Sequence, residues 1–311
     1  MADISRSELS TIIENEYSQQ LLDAARTSSV CLQAFRNVDM GTKTVNMPVM
    51  ATLPEAGFVS ESATENDGVK PTAQATWANK QLVAEEIAVI IPVHENVIDD
   101  ATVDVLDDLT MKGGDAIARK LDEAVLFGTD KPATWTDDDL HASAVANSLT
   151  HTVGTAGTAD DLGGSILQAA QSVDEAGWDP GALIAARGLR YQLANLRNAD
   201  GNPIFLPSLS SSAPGETDMV QGLASYWVTG RIWDTDVTAL VVDPDRVIIG
   251  VRQDVQVKLL DQATVGSINL AERDMVALRF KARYAYVLGD NANRESAADN
   301  GPVAVVLPAS S

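Results

Sequence analysis

The sequence predicts an α+β fold, because helical and strand-like segments are mixed without the regular alternation of a parallel α/β sheet. Apolar residues recur at helical spacing in four segments: residues 7–36, 99–127, about 160–177 and 187–198. Strand-like patterns occupy five further segments: residues 82–93, 238–242, 247–251, 255–259 and 276–287. With 311 residues, of which 45% are hydrophobic, the chain is long enough to bury one large core or two smaller ones.

The first helical segment, residues 7–36, is predicted to be an N-terminal arm. Its apolar residues recur every three or four positions and include Leu9, Ile12, Ile13, Leu21, Leu22 and Ala25. A helix with one apolar face buries that face against another surface. We therefore expect this arm to dock on a partner surface.

A long protruding hairpin is predicted between residues 45 and 93. Prolines and glycines break its first part, and the polar run 60–67 lies near its centre, so this stretch cannot build a core of its own. The returning part, residues 82–93, places apolar side chains on one parity, which is typical of a strand. The chain is therefore expected to run out and return as a two-stranded arm.

The clearest helix covers residues 99–127, with one apolar stripe and a length of about 40 Å at ~1.5 Å per residue. Gly113-Gly114 interrupts the pattern, which predicts either a bend or a close backbone approach. Gly128 is expected to end the helix. The following residues, 129–158, are predicted to be loop-like, and residues 206–216, rich in Ser, Pro and Gly, are predicted to be a linker.

Charge and cysteine content exclude several classes of protein. The net charge of −22, from 44 acidic and 22 basic residues, opposes direct binding of DNA. The single cysteine, Cys31, excludes an intrachain disulfide and fits a reducing cytoplasm. No stretch approaches the ~20 apolar residues of a membrane span, and the first residues lack the pattern of a signal peptide. We therefore expect a protein that is neither exported nor anchored in a membrane.

No combination of residues indicates catalysis, a metal or a cofactor. The three histidines, His94, His141 and His151, lack partners at the spacing of metal ligands. The acidic run 137–139 lacks the alternating oxygen ligands of a calcium loop and is interpreted as a solvated loop. The glycines within residues 154–164 lack the Gly-Lys-Ser/Thr of a phosphate loop. The sequence therefore predicts that the protein is not an enzyme and has no catalytic, cofactor or metal site.

Two sets of basic residues are candidates for contacts between subunits. Arg279, Lys281 and Arg283 alternate with apolar residues, so they form a ladder of positive charge on one face of a strand. The second set shares a helix face opposite three leucines and consists of Arg187, Arg190 and Arg197. In so acidic a protein, either set could pair with carboxylates of a neighbouring subunit, or could be solvated or paired within its own chain.

Several short motifs occur in an order that one known family shares. They are residues 57–61 (GFVSE), 91–100 (IPVHENVIDD), 126–128 (LFG), 247–252 (VIIGVR) and 279–283 (RFKAR). The first is similar to the element that opens an extended loop, and the second resembles the passage from the returning strand into a spine helix. In their order, over nearly the whole chain, they resemble the major capsid proteins of tailed bacteriophages, the family with the Hong Kong ninety-seven fold.

The resemblance implies the Hong Kong ninety-seven type capsid fold, with an N-terminal arm, an extended β-hairpin loop, a long spine helix, and peripheral and axial domains. The implied divisions are the arm 1–40, the extended loop 41–98, the peripheral domain with the spine helix 99–158, the axial domain 159–268, the closing peripheral strand 269–290 and the C-terminal tail 291–311. The arm is too short for a fused scaffolding region, so a separate scaffolding protein or none is implied.

The implied function is that of a major capsid protein, which self-assembles as hexamers and pentamers into the icosahedral head of a virion. Assembly would take place in the host bacterial cytoplasm, and the head would enclose DNA without sequence-specific binding. A portal and decoration proteins are further expected partners. Glu61 and Lys70 in the loop join the two basic sets as expected interface residues. The acidic excess would either leave packaged DNA free or simply keep an abundant protein soluble.

Two other functions are left open by the sequence. An encapsulin-like nanocompartment uses a similar fold to enclose a cargo enzyme, although the open loop and the arm favour a virus. A surface adhesin, from a different class, would carry a signal segment, and the sequence shows none. Covalent cross-linking through Lys70 or Lys80 is also left open, because one sequence does not identify the partner residues on an adjoining subunit.

Overall fold

The computed structural model describes residues 25–52, 76–100, 105–154, 161–196, 218–228, 232–261, 263–289 and 301–309. Its helices are α1 (Val30–Ala34), α2 (Glu95–Asp100), α3 (Val105–Phe127), α4 (Leu140–Ala146), α5 (Leu162–Glu175) and α6 (Arg187–Ala194). Its strands are β1 (Arg36–Met40), β2 (Thr44–Thr52), β3 (Thr76–Val83), β4 (Glu85–His94), β5 (Thr150–Thr152), β6 (Ala182–Ala186), β7 (Asp218–Val220), β8 (Leu223–Val228), β9 (Ala239–Val242), β10 (Val247–Leu260), β11 (Thr264–Val265), β12 (Ile268–Asn269), β13 (Met275–Leu288) and β14 (Val303–Leu307). A four-stranded and a six-stranded sheet share one main core.

The four-stranded sheet has the order β1-β10-β13-β4. β1 is parallel to β10, whereas the other two pairs are antiparallel. The predicted strands 247–251 and 255–259 form one strand, because β10 continues across an irregularity between Arg252 and Gln256. One face of β13, which includes Phe280, is buried in the main core against α3.

The six-stranded sheet has the order β5-β14-β9-β6-β8-β7. Its central strands are buried on both faces: Leu240 and Val305 belong to the main core, whereas Val241 and Val306 belong to a second core under α5 and α6. Strands covered on both faces have no polar face to present, which explains the continuous apolar runs of β6, β9 and β14. The predicted mixture of helices and strands is confirmed, including α5 and α6 as the two helices expected after residue 160.

The long helix of the prediction is α3, which has 23 residues and spans about 35 Å at ~1.5 Å per residue. The predicted start at residue 99 falls within α2, and residues 101–104 lie outside the described ones. The helix continues through Gly113, where an added Cβ would lie 2.8 Å from the ring of Phe280. The close approach is therefore confirmed as the reason for this glycine. Gly128, with a φ of 66°, follows the last helical residue as predicted.

Part of the segment predicted as a loop, residues 129–158, forms secondary structure. α4 begins after Asp139, whose side chain accepts a hydrogen bond from the backbone N–H of Ala142 at 3.0 Å. β5 pairs in parallel with β14. The loop prediction was wrong for these residues, because the capping aspartate was hidden within the acidic run 137–139.

Three segments of the implied divisions are joined to the two sheets by contacts that the sequence did not indicate. Residues 25–40 of the predicted arm belong to the chain's own fold, since α1 is buried in the main core and β1 is an edge strand of the four-stranded sheet. β10, within the predicted axial range, lies in that same sheet as well. β14, within the predicted tail, lies between β5 and β9. Each of these segments contacts elements that are distant in the sequence, and hydrophobic periodicity does not reveal such contacts.

Candidate assembly surfaces

β2 and β3 form the base of the predicted hairpin. They pair antiparallel along their length, in a two-stranded sheet of their own. Leu82 seats the hairpin in a small third core, together with Met40 and Ile248. The two-stranded arm is thus confirmed for β2 and β3, whereas Glu61 and Lys70 lie outside the described residues.

The hairpin continues the direction of β4, from which it is separated by the single residue Ala84. In the four-stranded sheet Glu85 lies opposite Tyr284. Five positions earlier, Lys80 donates a hydrogen bond to the carbonyl of Leu288, which is four positions beyond Tyr284. β3 therefore lies beside the end of β13, and the hairpin then projects away from the sheet. The eight residues of β3 span about 25 Å at ~3.3 Å per residue.

Residues 134–138, which we call the clasp, hold the base of this hairpin. The Oδ2 atom of Asp137 lies 3.3 Å from Nζ of Lys80 and accepts a hydrogen bond from the backbone N–H of Leu288 at 2.9 Å. Lys80, considered above as a loop lysine, is therefore fixed within its own chain. The ion pair and the two backbone bonds join the hairpin, the clasp and the end of β13 at one point.

The clasp also contacts the junction of β3 and β4. Trp135 Nε1 donates to the carbonyl of Val83 at 3.0 Å, and the hydroxyl of Thr134 donates to Oε1 of Glu85 at 3.0 Å. The indole is nearly completely buried. The hairpin is consequently attached to the clasp at two places along the same strand.

The sequence had suggested that the acidic run 137–139 is a solvated loop, and the structure shows that this interpretation was wrong. Asp137 makes the ion pair of the clasp, the carbonyl of Asp138 accepts a hydrogen bond from the Tyr286 hydroxyl at 2.8 Å, and Asp139 caps α4. The run was misinterpreted because each of its three partners is set by the fold. The carboxylates of Asp137 and Asp139 thus make structural contacts, whereas the exposed Asp138 contributes its backbone carbonyl.

The predicted charge ladder lies on β13, on the face opposite the main core. Lys281 Nζ lies 2.8 Å from Oε2 of Glu86, and Arg283 Nη2 lies 3.7 Å from the same oxygen. The hydrogen bond from Lys281 is the main cause that holds the pKa of Glu86 below its ordinary value. Within the described part of the chain, the buried Nε of Arg279 has no hydrogen-bond partner. Two of the three ladder residues thus pair within the chain.

The face that bears the ladder is continued by β10 and β4. Residues opposite each other in antiparallel strands point to the same side. The rows are Arg252–Arg283–Glu86, Gln256–Lys281–Ala88 and Lys258–Arg279–Ile90. We call these three rows the cationic face. They carry five cations and one carboxylate in a chain whose net charge is −22.

The second predicted set of basic residues lies on α6. Arg187 and Arg190 are exposed, whereas the leucines of the helix are buried in the second core. Tyr191, with 75% of its surface exposed, lies beside them. The amphipathic character of the helix is confirmed, and Arg197 lies outside the described residues.

An anchor between α1 and α3 has no signal in the sequence. Asp122, buried on α3, accepts hydrogen bonds from Ser29 Oγ at 2.6 Å, Val30 N at 2.9 Å and Cys31 N at 3.1 Å. It thereby satisfies backbone donors at the start of α1 that have no partner within the helix. Burial raises the pKa of Asp122, against the effect of these hydrogen bonds. Burial also raises the pKa of the enclosed Cys31 thiol.

Sites of other kinds find little support in the described residues. The Nε2 atom of His151 lies 2.7 Å from the hydroxyl of Ser172, but that hydroxyl donates its proton to the carbonyl of Gln168 at 2.9 Å. The Gln168 carbonyl and the imidazole thus compete for the single proton of this hydroxyl, which is unlike the arrangement of an activated serine nucleophile. Among the described residues, no three His, Cys, Asp or Glu side chains are grouped to hold a metal ion. In that same part, no helix is long and apolar enough to cross a membrane.

Comparisons with known proteins agree on one family. The family model described as "Phage capsid family" matches residues 10–293. The chain is similar to a solved structure from Mycobacterium phage Bobi, with 52% sequence identity, 100% coverage of both chains and a TM-score of 0.81. A second, from Mycobacterium phage Adephagia, is 49% identical, with a TM-score of 0.80 and coverage of 100% of this chain and 99% of that chain.

A more distant likeness concerns the fold alone. The structure titled "Capsid of native GTA particle computed with C5 symmetry" is 15% identical, over 92% of this chain and 90% of that chain, with a TM-score of 0.61. A search of the curated proteins gave no match. The structural likeness therefore extends from phages of similar sequence to a capsid of very different sequence.

Proposed function

Since the chain belongs to the phage capsid family and is a major capsid protein rather than an enzyme, we propose that it assembles as hexamers and pentamers into the icosahedral head of a phage. The family match over residues 10–293 carries this proposal. The head encloses DNA without sequence-specific binding, because a net charge of −22 repels a polyanion. A separate scaffolding protein, a portal and decoration proteins are further proposed partners, and the host bacterial cytoplasm is the proposed place of assembly. None of the comparisons points to an encapsulin-like compartment.

The cationic face and the extended loop are proposed to meet between neighbouring copies. Between β2 and β3 the sequence has four carboxylates and one lysine: Glu55, Glu61, Glu65, Asp67 and Lys70. β3 extends beyond the Glu85 end of β4, where Lys80 reaches the carbonyl of Leu288, whereas the ladder residues lie beside β4 within the four-stranded sheet. An acidic loop and a cationic face are complementary in charge, and a contact between two copies of the chain would pair them. We therefore place Glu61, Lys70 and the three ladder residues in this contact.

The exposed face of α6 is proposed as a second contact surface. Arg187 and Arg190 stand on it beside Tyr191, and Arg197 continues the same helical spacing in the sequence. Exposed aromatic and arginine side chains are enriched where proteins associate. Carboxylates of a neighbouring copy are the proposed partners, as a chain with twice as many acidic as basic residues offers many of them.

A charge exchange tests the contact between loop and cationic face. Glu61→Lys and Lys258→Glu, each alone, should lower the yield of closed shells, since either places like charges together in every copy of the contact. The two substitutions combined should restore it. Arg119→Glu is the matched control, because this exposed residue lies on α3, against the other face of the sheet. Shells counted by electron microscopy give the measurement, and single variants that assemble like the original chain would contradict the proposal.

A further inference from the structure

We propose that the clasp, residues 134–138, positions the extended hairpin for its contact with a neighbouring copy. This inference rests on the proposed function, since it concerns how the loop is presented. β2 and β3 form a sheet separate from the four-stranded one, and Ala84 is the only residue between β3 and β4. A two-stranded projection with such a connection needs additional attachments to keep one direction.

The attachments lie at two separate points on one strand. The first is the pair of Lys80 with Asp137, and the second is the contact of Trp135 and Thr134 with the residues around Ala84. Lys80 and the β3–β4 junction at Ala84 are about 13 Å apart at ~3.3 Å per residue. Two points of attachment prevent the rotation that one alone would permit. The hairpin therefore has one direction relative to the four-stranded sheet.

The ion pair of the clasp differs from an ordinary surface pair. The side chains of Lys80 and Asp137 are 15% and 16% exposed, and both also bond to the backbone of Leu288. A pair that is mostly withdrawn from water contributes more to a unique geometry than to net stability. By contrast, Lys43, 61% exposed, lies 3.7 Å from Glu85 at the same hairpin base. The latter pair offers a control in the same region.

The clasp is itself held by the body of the molecule. It follows the end of α3 at Gly128, its last carbonyl accepts the hydroxyl of Tyr286, and Asp139 directly after it caps α4. Any displacement of the α3 end relative to β13 would therefore be transmitted to the hairpin base. The direction of the hairpin base, formed by β2 and β3, is set by α3 and β13 together with β4.

The test removes the ion pair without leaving a buried charge. In the variant Lys80→Met with Asp137→Asn, the asparagine oxygen can still accept the bond from Leu288 N. We expect backbone amides of β3 in the unassembled full chain to exchange hydrogen about tenfold faster, while those of β9 and β14 are unchanged. Shells viewed by electron microscopy should spread in diameter. Lys43→Met should match the original chain in both amide exchange and shell diameter. If the variant Lys80→Met with Asp137→Asn also matches the original chain in both measurements, the inference is overturned.

A second variant protects the test against loss of folding. Trp135→Phe keeps an aromatic ring near Tyr286 but removes the donor to the Val83 carbonyl. Faster hydrogen exchange of the β3 amides is again expected. If the double variant does not fold and Trp135→Phe leaves this exchange unchanged, the inference is overturned. Failure of the proposed function can be distinguished from failure of this inference. The former would appear as normal shell assembly by Glu61→Lys and Lys258→Glu, whereas the exchange of β3 amides is measured on the chain before assembly.

Discussion

Replacing Asp122 by alanine removes the acceptor of three hydrogen bonds at the start of α1. The N–H groups of Val30 and Cys31 would then be buried without a partner, at about 1–3 kcal/mol each. The Ser29 hydroxyl is less affected, because its oxygen continues to accept from Leu32 N at 3.1 Å. The burial cost of the carboxylate, which raises its pKa, is recovered. The expected net loss in the free energy of unfolding is about 2–5 kcal/mol.

Asparagine at position 122 provides a graded comparison. Oδ1 of Asp122 accepts from Ser29 and Cys31, whereas Oδ2 accepts from Val30 N. An asparagine oxygen in the first place keeps two bonds, while its amide group would face the N–H of Val30. Asp122→Asn should therefore cost less than Asp122→Ala, about 1–3 kcal/mol.

Urea unfolding of unassembled subunits measures both losses. Cys31 gives a second, local assay, because the only thiol of the chain is completely buried and its pKa is raised by burial. It should react with a thiol reagent slowly in the original chain and faster in Asp122→Ala. An alanine variant with unchanged unfolding and unchanged thiol reactivity would refute this reasoning, as would an asparagine variant that is less stable than the alanine variant.

Three more outcomes are expected. Gly113→Ala should lower stability by about 1–3 kcal/mol, because the added Cβ would meet an aromatic ring. Gly188→Ala in α6 should raise stability by up to about 1 kcal/mol, because nothing lies within 4 Å of the added Cβ. Thermal unfolding of the two variants compares these effects. Burial raises the pKa of Asp122 in the folded state. The stability that this pKa shift contributes to the free energy of unfolding is therefore fully present below the unfolded pKa of ~3.9. It is lost as the pH rises through the folded pKa. Stability relative to Asp122→Asn should therefore fall over that interval in urea titrations. Limited proteolysis should cut unassembled protein within residues 61–70 and spare closed shells, and equal cutting of both would contradict the proposed role of the loop.

The parts of the fold that follow from local pattern were predictable from the sequence. Alternating apolar residues located β4, β10 and β13, helical spacing located α3, α5 and α6, and Gly128 located the end of α3. Several elements were missed, and β14 and α4 illustrate the reasons. β14 is a run of only five residues, too short to distinguish from a tail by periodicity, and α4 is a seven-residue helix preceded by an acidic run that obscured its cap.

The contacts that position the candidate surfaces were beyond local reasoning. Asp122 and Ser29 are 93 positions apart, and Lys80 and Asp137 are 57 positions apart. The charge ladder was recognised from alternation, but its partner Glu86 became apparent only with the register of β13 against β4. Side-chain pairing across such separations depends on strand register and helix packing, which a single sequence does not specify.

The position of β14 affects folding while the chain is being synthesised. This strand lies between β5 and β9, so the six-stranded sheet is left with a gap until residues 303–307 have been added. At roughly 5–20 residues per second, β14 leaves the ribosome several seconds after β9. During that interval the second core lacks Ala304 and Val306. A copy still attached to a ribosome therefore has an incomplete second core, and its six-stranded sheet becomes continuous only when translation has passed this strand.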